Sequence, residues 1–248
     1  MKVWIYSLVS VITVSCISLI GVFFISFGID KLRKILLILV SFAVGGLLGD
    51  AFIHLLPESF EKIGANSTTP LLIIIGILIF FILEKFLRWR HCHIPASETH
   101  LHPVVTMNLV GDGVHNMIDG MIIGASFLIS KTIGVSTTLA VILHEIPQEI
   151  GDFGILVHGG LTPKKALTFN FLSAIFAILG TVLSLTVGPF IKNYATFLLP
   201  ITAGGFIYIA GADLIPELHH DVKLSISFLQ LIAIIIGIGV MAILKLLG

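Results

Sequence analysis

Long apolar stretches alternate with short polar stretches along the whole chain. A membrane-spanning helix needs about 20 mostly apolar residues, and eight segments meet this requirement: 4–27, 35–56, 70–87, 103–129, 134–158, 165–189, 194–216 and 225–247. The breaks between them are short, which makes successive helices antiparallel neighbours. The pattern predicts an all-α polytopic membrane protein with eight transmembrane helices in a single domain, residues 1–248.

Composition supports this class. Hydrophobic residues make up 56% of the chain and charged residues 11%, with a mean hydropathy of +1.10, whereas soluble domains carry about 25% charged residues. The net charge is zero, so no nucleic-acid partner is expected. The first apolar run is longer than the core of a signal peptide, about 7–15 residues, and we expect it to remain as the first helix.

The distribution of basic residues predicts the orientation in the membrane. With the N-terminus outside, nine of the 14 Lys and Arg residues lie on the cytoplasmic side and five lie outside. Cytoplasmic loops carry an excess of Lys and Arg. We therefore expect a multi-pass protein of the cell membrane with both termini outside.

The fourth apolar segment carries polar residues where the bilayer is least tolerant of them. Its stretch GDGVHNMIDG (111–120) places His115 and Asp119 within about 40° of each other on a helix. Asn116 lies beside them. This spacing predicts one polar face near the middle of the helix.

The fifth segment carries a matching stretch, HEIPQE (144–149). His144 and Gln148 repeat the i, i+4 spacing, and Glu145 and Glu149 form a second such pair. Because the fourth and fifth helices are antiparallel neighbours, their polar faces are expected to meet at one depth near the bilayer midplane. Pro147 frees a backbone carbonyl, which is tolerated at that depth if it lines a polar cavity.

Carboxylates at mid-membrane cost at least about 2.5–3.5 kcal/mol each, so a cation or a water-filled path must compensate them. Imidazole, carboxylate and amide ligands without a thiolate suit Zn²⁺, Mn²⁺ or Fe²⁺ better than Cu⁺. The alternative is a buried hydrogen-bond network that holds two helices together. Ordinary contacts of that kind use Ser, Thr or a lone Asn.

The two motifs HNMIDG (115–120) and HEIPQEIGDF (144–153) resemble the paired fourth- and fifth-helix motifs of the ZIP (Zrt-, Irt-like protein) family of divalent metal transporters. GDAFIHLLPE (49–58) and GGFIYIAGADLIPELHH (204–220) are also similar to family sequences. The last two stretches resemble each other in helices of opposite direction, which is typical of the inverted repeats of transporters. The resemblance implies a 3+2+3 helix arrangement, no enzymatic activity, and transport of Zn²⁺ or a related ion (Mn²⁺, Fe²⁺, Cd²⁺) toward the cytoplasm.

By position, the resemblance assigns His115, Asp119, His144 and Gln148 to a first metal site. It assigns Asn116 and Glu145 to an adjacent second site, with residue 148 able to bridge the two. Relatives often have His or Glu at that position, and a neutral amide is a poorer ligand, which leaves open whether one or two ions bind. With Glu149 added, the predicted ligand set comprises seven residues; His54, His158 and Asp213 are further candidates.

The stretch 88–102 is predicted to be a His-rich cytoplasmic loop. Such tracts can bind metal weakly, and a solvated loop without function is the alternative. Three other functions remain open: an intramembrane zinc metalloprotease, a metal exporter and a metal sensor. The protease motif H-E-x-x-H requires a second His, and here that residue is Gln148. A homodimer is compatible with the sequence.

Overall fold

The computed structural model describes residues 2–20, 29–88, 103–158, 160–219 and 224–247. Regular structure in these ranges is entirely helical. The helices are α1 (Lys2–Ile17, then a 3-10 turn Ser18–Ile20), α2 (Ile29–Gly49, continued by a π-helical turn Asp50–Leu55 and by Leu56–Ile63), α3 (Thr68–Arg88), α4 (Pro103–Ile129), α5 (Lys131–His158), α6 (Pro163–Val187, then a 3-10 turn Gly188–Phe190), α7 (Tyr194–Tyr208, continued by a π-helical turn Ile209–Leu214 and by Ile215–Leu218) and α8 (Leu224–Leu247).

The protein is an all-α polytopic membrane protein. Within the described residues, six helices are long and apolar enough to cross a membrane: α1, α2, α3, α6, α7 and α8. The other two, α4 and α5, have 27 and 28 residues, which is sufficient length, but they carry the polar stretches. That all eight helices cross the membrane therefore stays a prediction. Most of the predicted His-rich loop, residues 89–102, lies outside the described residues.

Helix α2 extends past its predicted end. The second apolar segment was predicted to end at residue 56, yet the chain remains helical to Ile63. The π-helical turn Asp50–Leu55 precedes Pro57, which occupies the first turn of the next α-helical segment. A proline lacks the amide hydrogen and clashes with a regular preceding turn, and a wider π turn removes this conflict. Pro57 thus accompanies a change of helix type instead of a helix end.

Helices α4 and α5 lie at the centre of the packing. They contact each other along their length, α4 packs mainly against α6 and α7, and α5 packs mainly against α1 and α2. The first three and last three helices therefore surround the central pair. This places the polar faces of α4 and α5 in the interior of the bundle.

Two outer helix pairs pack through glycines. A Cβ at Gly45 of α2 would lie 2.1 Å from the carbonyl oxygen of Ile234 in α8. A Cβ at Gly204 of α7 would lie 2.1 Å from the carbonyl oxygen of Ile73 in α3. The backbones approach so closely that only glycine fits, a common arrangement in membrane bundles.

The same glycines strengthen the resemblance between α2 and α7 that the sequence showed. In both α2 and α7 a Gly-Gly pair (45–46 and 204–205) stands five residues before a π-helical turn, and a Pro-Glu pair follows two residues after that turn. The partners also correspond, since α2 packs on α8 as α7 packs on α3. The packing supports the predicted repeat of the first and last three helices.

Candidate metal centre

The centre of the molecule holds four ligand groups from the predicted set. His115 and Asp119 lie one turn apart on α4, and His144 and Glu145 are consecutive on α5. One ligand atom of each lies within 4.8 Å of those of the other three. All four side chains are buried, with exposed fractions between 0 and 8%.

The separations suit a single small cation. The His144 Nε2 atom lies 3.0 Å from Asp119 Oδ2 and 3.4 Å from His115 Nε2. His115 Nε2 lies 3.7 Å from Asp119 Oδ2 and 3.5 Å from Glu145 Oε1. Ligand atoms about 2.0–2.2 Å from a tetrahedral ion stand roughly 3.3–3.6 Å apart. The observed separations bracket that range.

A hydrogen bond to the backbone sets the tautomer of His144. Its Nδ1 atom lies 3.0 Å from the carbonyl oxygen of Ala140. A carbonyl only accepts, so Nδ1 carries the hydrogen and Nε2 of the neutral ring presents a lone pair toward the cluster. Metal-binding histidines are usually oriented in this way.

The carboxylates of the cluster lack hydrogen-bond donors. Neither oxygen of Asp119 and neither oxygen of Glu145 accepts a hydrogen bond, and all four atoms are buried. A buried group left unpaired in this way is expensive, and a lone pair on His144 Nε2 facing Asp119 Oδ2 at 3.0 Å is repulsive by itself. A cation held between these groups removes both penalties.

Two phenylalanines flank the imidazoles. The ring of Phe80 on α3 meets His115 edge-on at a centroid distance of 5.8 Å, and Phe206 on α7 lies 5.9 Å from His144. Both phenylalanines are buried. The apolar rings limit solvent contact with the histidines and restrict their rotation.

Three of the seven predicted ligands lie outside this four-residue cluster. Asn116 donates a hydrogen bond from Nδ2 to Asp112 Oδ1 at 2.8 Å, and its Oδ1 atom is buried without a partner. Gln148 is half-buried, and its side chain makes a polar contact with the same Asp112 carboxylate. Metal binding by Asn116 and Gln148 stays a prediction.

The third, Glu149, is 1% exposed and faces α6. The side-chain amide of Asn170 hydrogen-bonds to its carboxylate and donates to its backbone oxygen at 3.3 Å. The other carboxylate oxygen, Oε1, is buried and accepts no hydrogen bond. Glu149 thus links α5 to α6 and keeps one oxygen unpaired.

Of the three further candidates, only His54 has a described side chain. It is fully buried in the π-helical turn of α2, where its Nδ1 atom lies 3.2 Å from Asp50 Oδ1. Thr137 of α5 donates a hydrogen bond to Asp50 Oδ2 at 3.2 Å. The side chains of His158 and Asp213 lie outside the described residues.

The residue that sequence reasoning missed is Asp112 on α4, whose partner on α6 is Ser173. Both are buried, and the Ser173 hydroxyl hydrogen-bonds to the Asp112 carboxylate. The available signal was the i, i+4 spacing of Asp112 and Asn116 within GDGVHN. The participation of Ser173 depends on the packing of α6 against α4 and has no local signature.

Comparison with known proteins agrees with this architecture. The chain matches the family model described as ZIP Zinc transporter over residues 1–105 and 93–245. It is 35% identical to the zinc transporter zipt-7.1 of Caenorhabditis briggsae, over 99% of this chain and 80% of that protein. It is 33% identical to the zinc transporter ZIP13 of Mus musculus (88% and 71%) and 29% identical to the zinc transporter SLC39A7 of Rattus norvegicus (96% and 71%). An all-helical bundle, a buried His–Asp–His–Glu cluster and a match across nearly the whole chain lead to one conclusion: the chain belongs to the ZIP zinc transporter family.

Proposed function

We propose that this protein carries Zn²⁺ across a membrane through the cluster of His115, Asp119, His144 and Glu145. Two imidazole nitrogens and two carboxylates form a donor set suited to Zn²⁺. The observation that carries the proposal is the convergence of these four buried groups without hydrogen-bond donors on the carboxylates. The relatives' names, all zinc transporters, point to the same substrate.

The wider substrate range is part of the proposal. Carboxylate and amide oxygens beside two imidazoles also accept Mn²⁺, Fe²⁺ and Cd²⁺. Transport toward the cytoplasm is the direction that the family resemblance implies, and the proposed orientation has both termini outside, in the cell membrane or in an intracellular membrane of equivalent polarity. The rival functions of exporter and sensor give different results in the same assay.

The test is uptake of radiolabelled Zn²⁺ into proteoliposomes in which protein orientation is determined by protease accessibility. We expect saturable uptake by the wild type, with the N-terminal side acting as the entry side. His144→Ala should reduce the initial rate to background. The matched control is His219→Ala, because His219 is an exposed histidine beyond the end of α7.

Each other outcome contradicts a defined part of the proposal. Saturable flux only in the opposite direction would indicate an exporter. Stoichiometric binding without flux would indicate a sensor. Equal uptake by wild type and His144→Ala, with both proteins inserted and monodisperse, would show that the central cluster is not part of the transport path.

A further inference from the structure

Asp112 occupies a junction of three helices next to the metal centre. It lies on α4, is 2% exposed, and is one turn before Asn116. Asn116 donates to its Oδ1 atom at 2.8 Å and to its backbone oxygen at 3.1 Å. Ser173 of α6 hydrogen-bonds to its Oδ2 atom, and Gln148 of α5 makes a polar contact with the carboxylate.

A carboxylate in this position determines which end of each amide faces it. An ionised carboxylate has acceptors only, whereas a side-chain amide has an NH₂ donor group and an oxygen acceptor. Asn116 therefore turns its NH₂ group to Asp112, and its Oδ1 atom is left buried without a hydrogen-bond partner. By the same rule, Gln148 approaches the Asp112 carboxylate most favourably with its NH₂ group, which leaves its oxygen free.

We propose that Asp112 is a positioning residue that orients the amide oxygens of Asn116 and Gln148 toward the transported ion. This inference rests on the proposed function and deepens it. Without a defined acceptor, either end of an amide could face the ion, and an NH₂ group repels a cation. Residues that orient metal ligands typically change affinity by about 10–100-fold when they are altered.

The first measurement is the half-saturating concentration for uptake by Asp112→Asn, with Zn²⁺ and Mn²⁺ as separate substrates. We expect an increase of about tenfold for Mn²⁺ and a smaller increase for Zn²⁺. Oxygen ligands contribute more to the binding of Mn²⁺, whereas the two imidazoles favour Zn²⁺. An equal increase for both ions would overturn the proposal, because loss of a charge alone affects all divalent ions alike.

The second measurement is a double-mutant cycle. If Asp112 acts through the amides, the effect of Asp112→Asn should fall from about tenfold to about threefold or less in the Asn116→Ala and Gln148→Ala backgrounds. The control is Asp152→Asn, since Asp152 is a carboxylate on α5 that interacts electrostatically with Glu145. The effect of Asp152→Asn on the half-saturating concentration should be the same with and without Asn116→Ala. If Asp112→Asn changed the half-saturating concentration by the same factor in both backgrounds, Asp112 would act only through its charge and not through the amides.

A variant that keeps the charge covers the case in which Asp112→Asn does not fold. Ser173→Ala keeps the charge of Asp112 and removes the hydroxyl that contacts Asp112 and the backbone oxygens of Phe169 and Asn170. We expect about a threefold increase in the half-saturating Mn²⁺ concentration that disappears in the Asn116→Ala background. Persistence of the full increase in that background would contradict the proposal. Absence of any divalent uptake by the wild type would instead contradict the proposed function, so the two failures are distinguishable.

Discussion

Two buried regions of the molecule each contain an Asp and a His one helical turn apart, and they differ in what surrounds the pair. On α4, Asp119 and His115 meet His144 and Glu145 from α5, and no hydrogen bond reaches Asp119. On α2, Asp50 contacts His54 at 3.2 Å and accepts a hydrogen bond from Thr137. The i, i+4 spacing is the same in both.

The difference shows that convergence between helices, and not spacing along one helix, creates the candidate metal centre. A metal site needs at least three protein ligands, and the α4–α5 cluster supplies four. The α2 pair supplies two, together with a hydroxyl that donates to Asp50. Both carboxylates of the α4–α5 cluster lack a hydrogen bond, whereas Asp50 accepts one from Thr137; Asp50 Oδ1 and both ring nitrogens of His54 are buried without a hydrogen-bond partner as well.

The largest expected effect comes from removing the charge at the centre. Asp119→Asn should raise the half-saturating Zn²⁺ concentration for uptake by about 100-fold or more, beyond the range typical of residues behind the ligands. Asp50→Asn is the matched change in the α2 region, and the half-saturating Zn²⁺ concentration should rise by about threefold or less. Similar losses of affinity in both variants would break the distinction between the two regions.

The next effect concerns the residue that separates this chain from the family pattern. Gln148→His should increase the apparent affinity for Zn²⁺ relative to Mn²⁺ by about tenfold, since an imidazole replaces a harder, neutral amide oxygen. Gln148→Glu should instead strengthen the binding of both ions by adding a negative charge. The measurement is the ratio of apparent affinities in competitive uptake. A ratio that does not change in Gln148→His would show that residue 148 does not touch the ion.

A smaller effect should sharpen the comparison at His54. His54→Ala is expected to raise the half-saturating Zn²⁺ concentration by about threefold or less, because among the described residues His54 pairs with Asp50 but belongs to no group of three metal-ligating side chains. His144→Ala, assayed in parallel, sets the scale for a lost ligand. A loss at His54 as large as at His144 would make the α2 pair a second binding station for the ion.

The smallest expected effect tests the apolar rings beside the centre. A Cβ at Gly205 would lie 2.3 Å from the Phe80 ring, which packs against His115. Overpacking of this kind costs about 1–3 kcal/mol, so Gly205→Ala should lower the melting temperature and raise the half-saturating Zn²⁺ concentration about twofold. Gly154→Ala has open space around the added methyl group and serves as the control. Unchanged values in Gly205→Ala would show that Phe80 does not position His115.

The sequence predicted the two central helices and most of the centre. Helix α4 spans the predicted residues 103–129, and α5 begins three residues earlier than the predicted residue 134. Helical periodicity placed His115, Asp119 and His144 on facing surfaces, and the family resemblance added Glu145 to the predicted ligands. The predicted end of the second segment at residue 56 was too early, because the chain continues through a π-helical turn and past Pro57 as a helix to Ile63.

Local pattern by itself determined the helical class and the membrane setting, since both depend on periodicity and hydropathy within a single segment. The tertiary structure decided which groups share one centre. It placed Glu145 within 3.5 Å of His115 and set Asp112 against Ser173 from a helix 61 residues further along the chain. The rotation and separation of packed helices set such contacts. Both follow from close approaches across the bundle, such as Gly120 of α4 against the backbone of Ala177 in α6, which no spacing within one helix encodes.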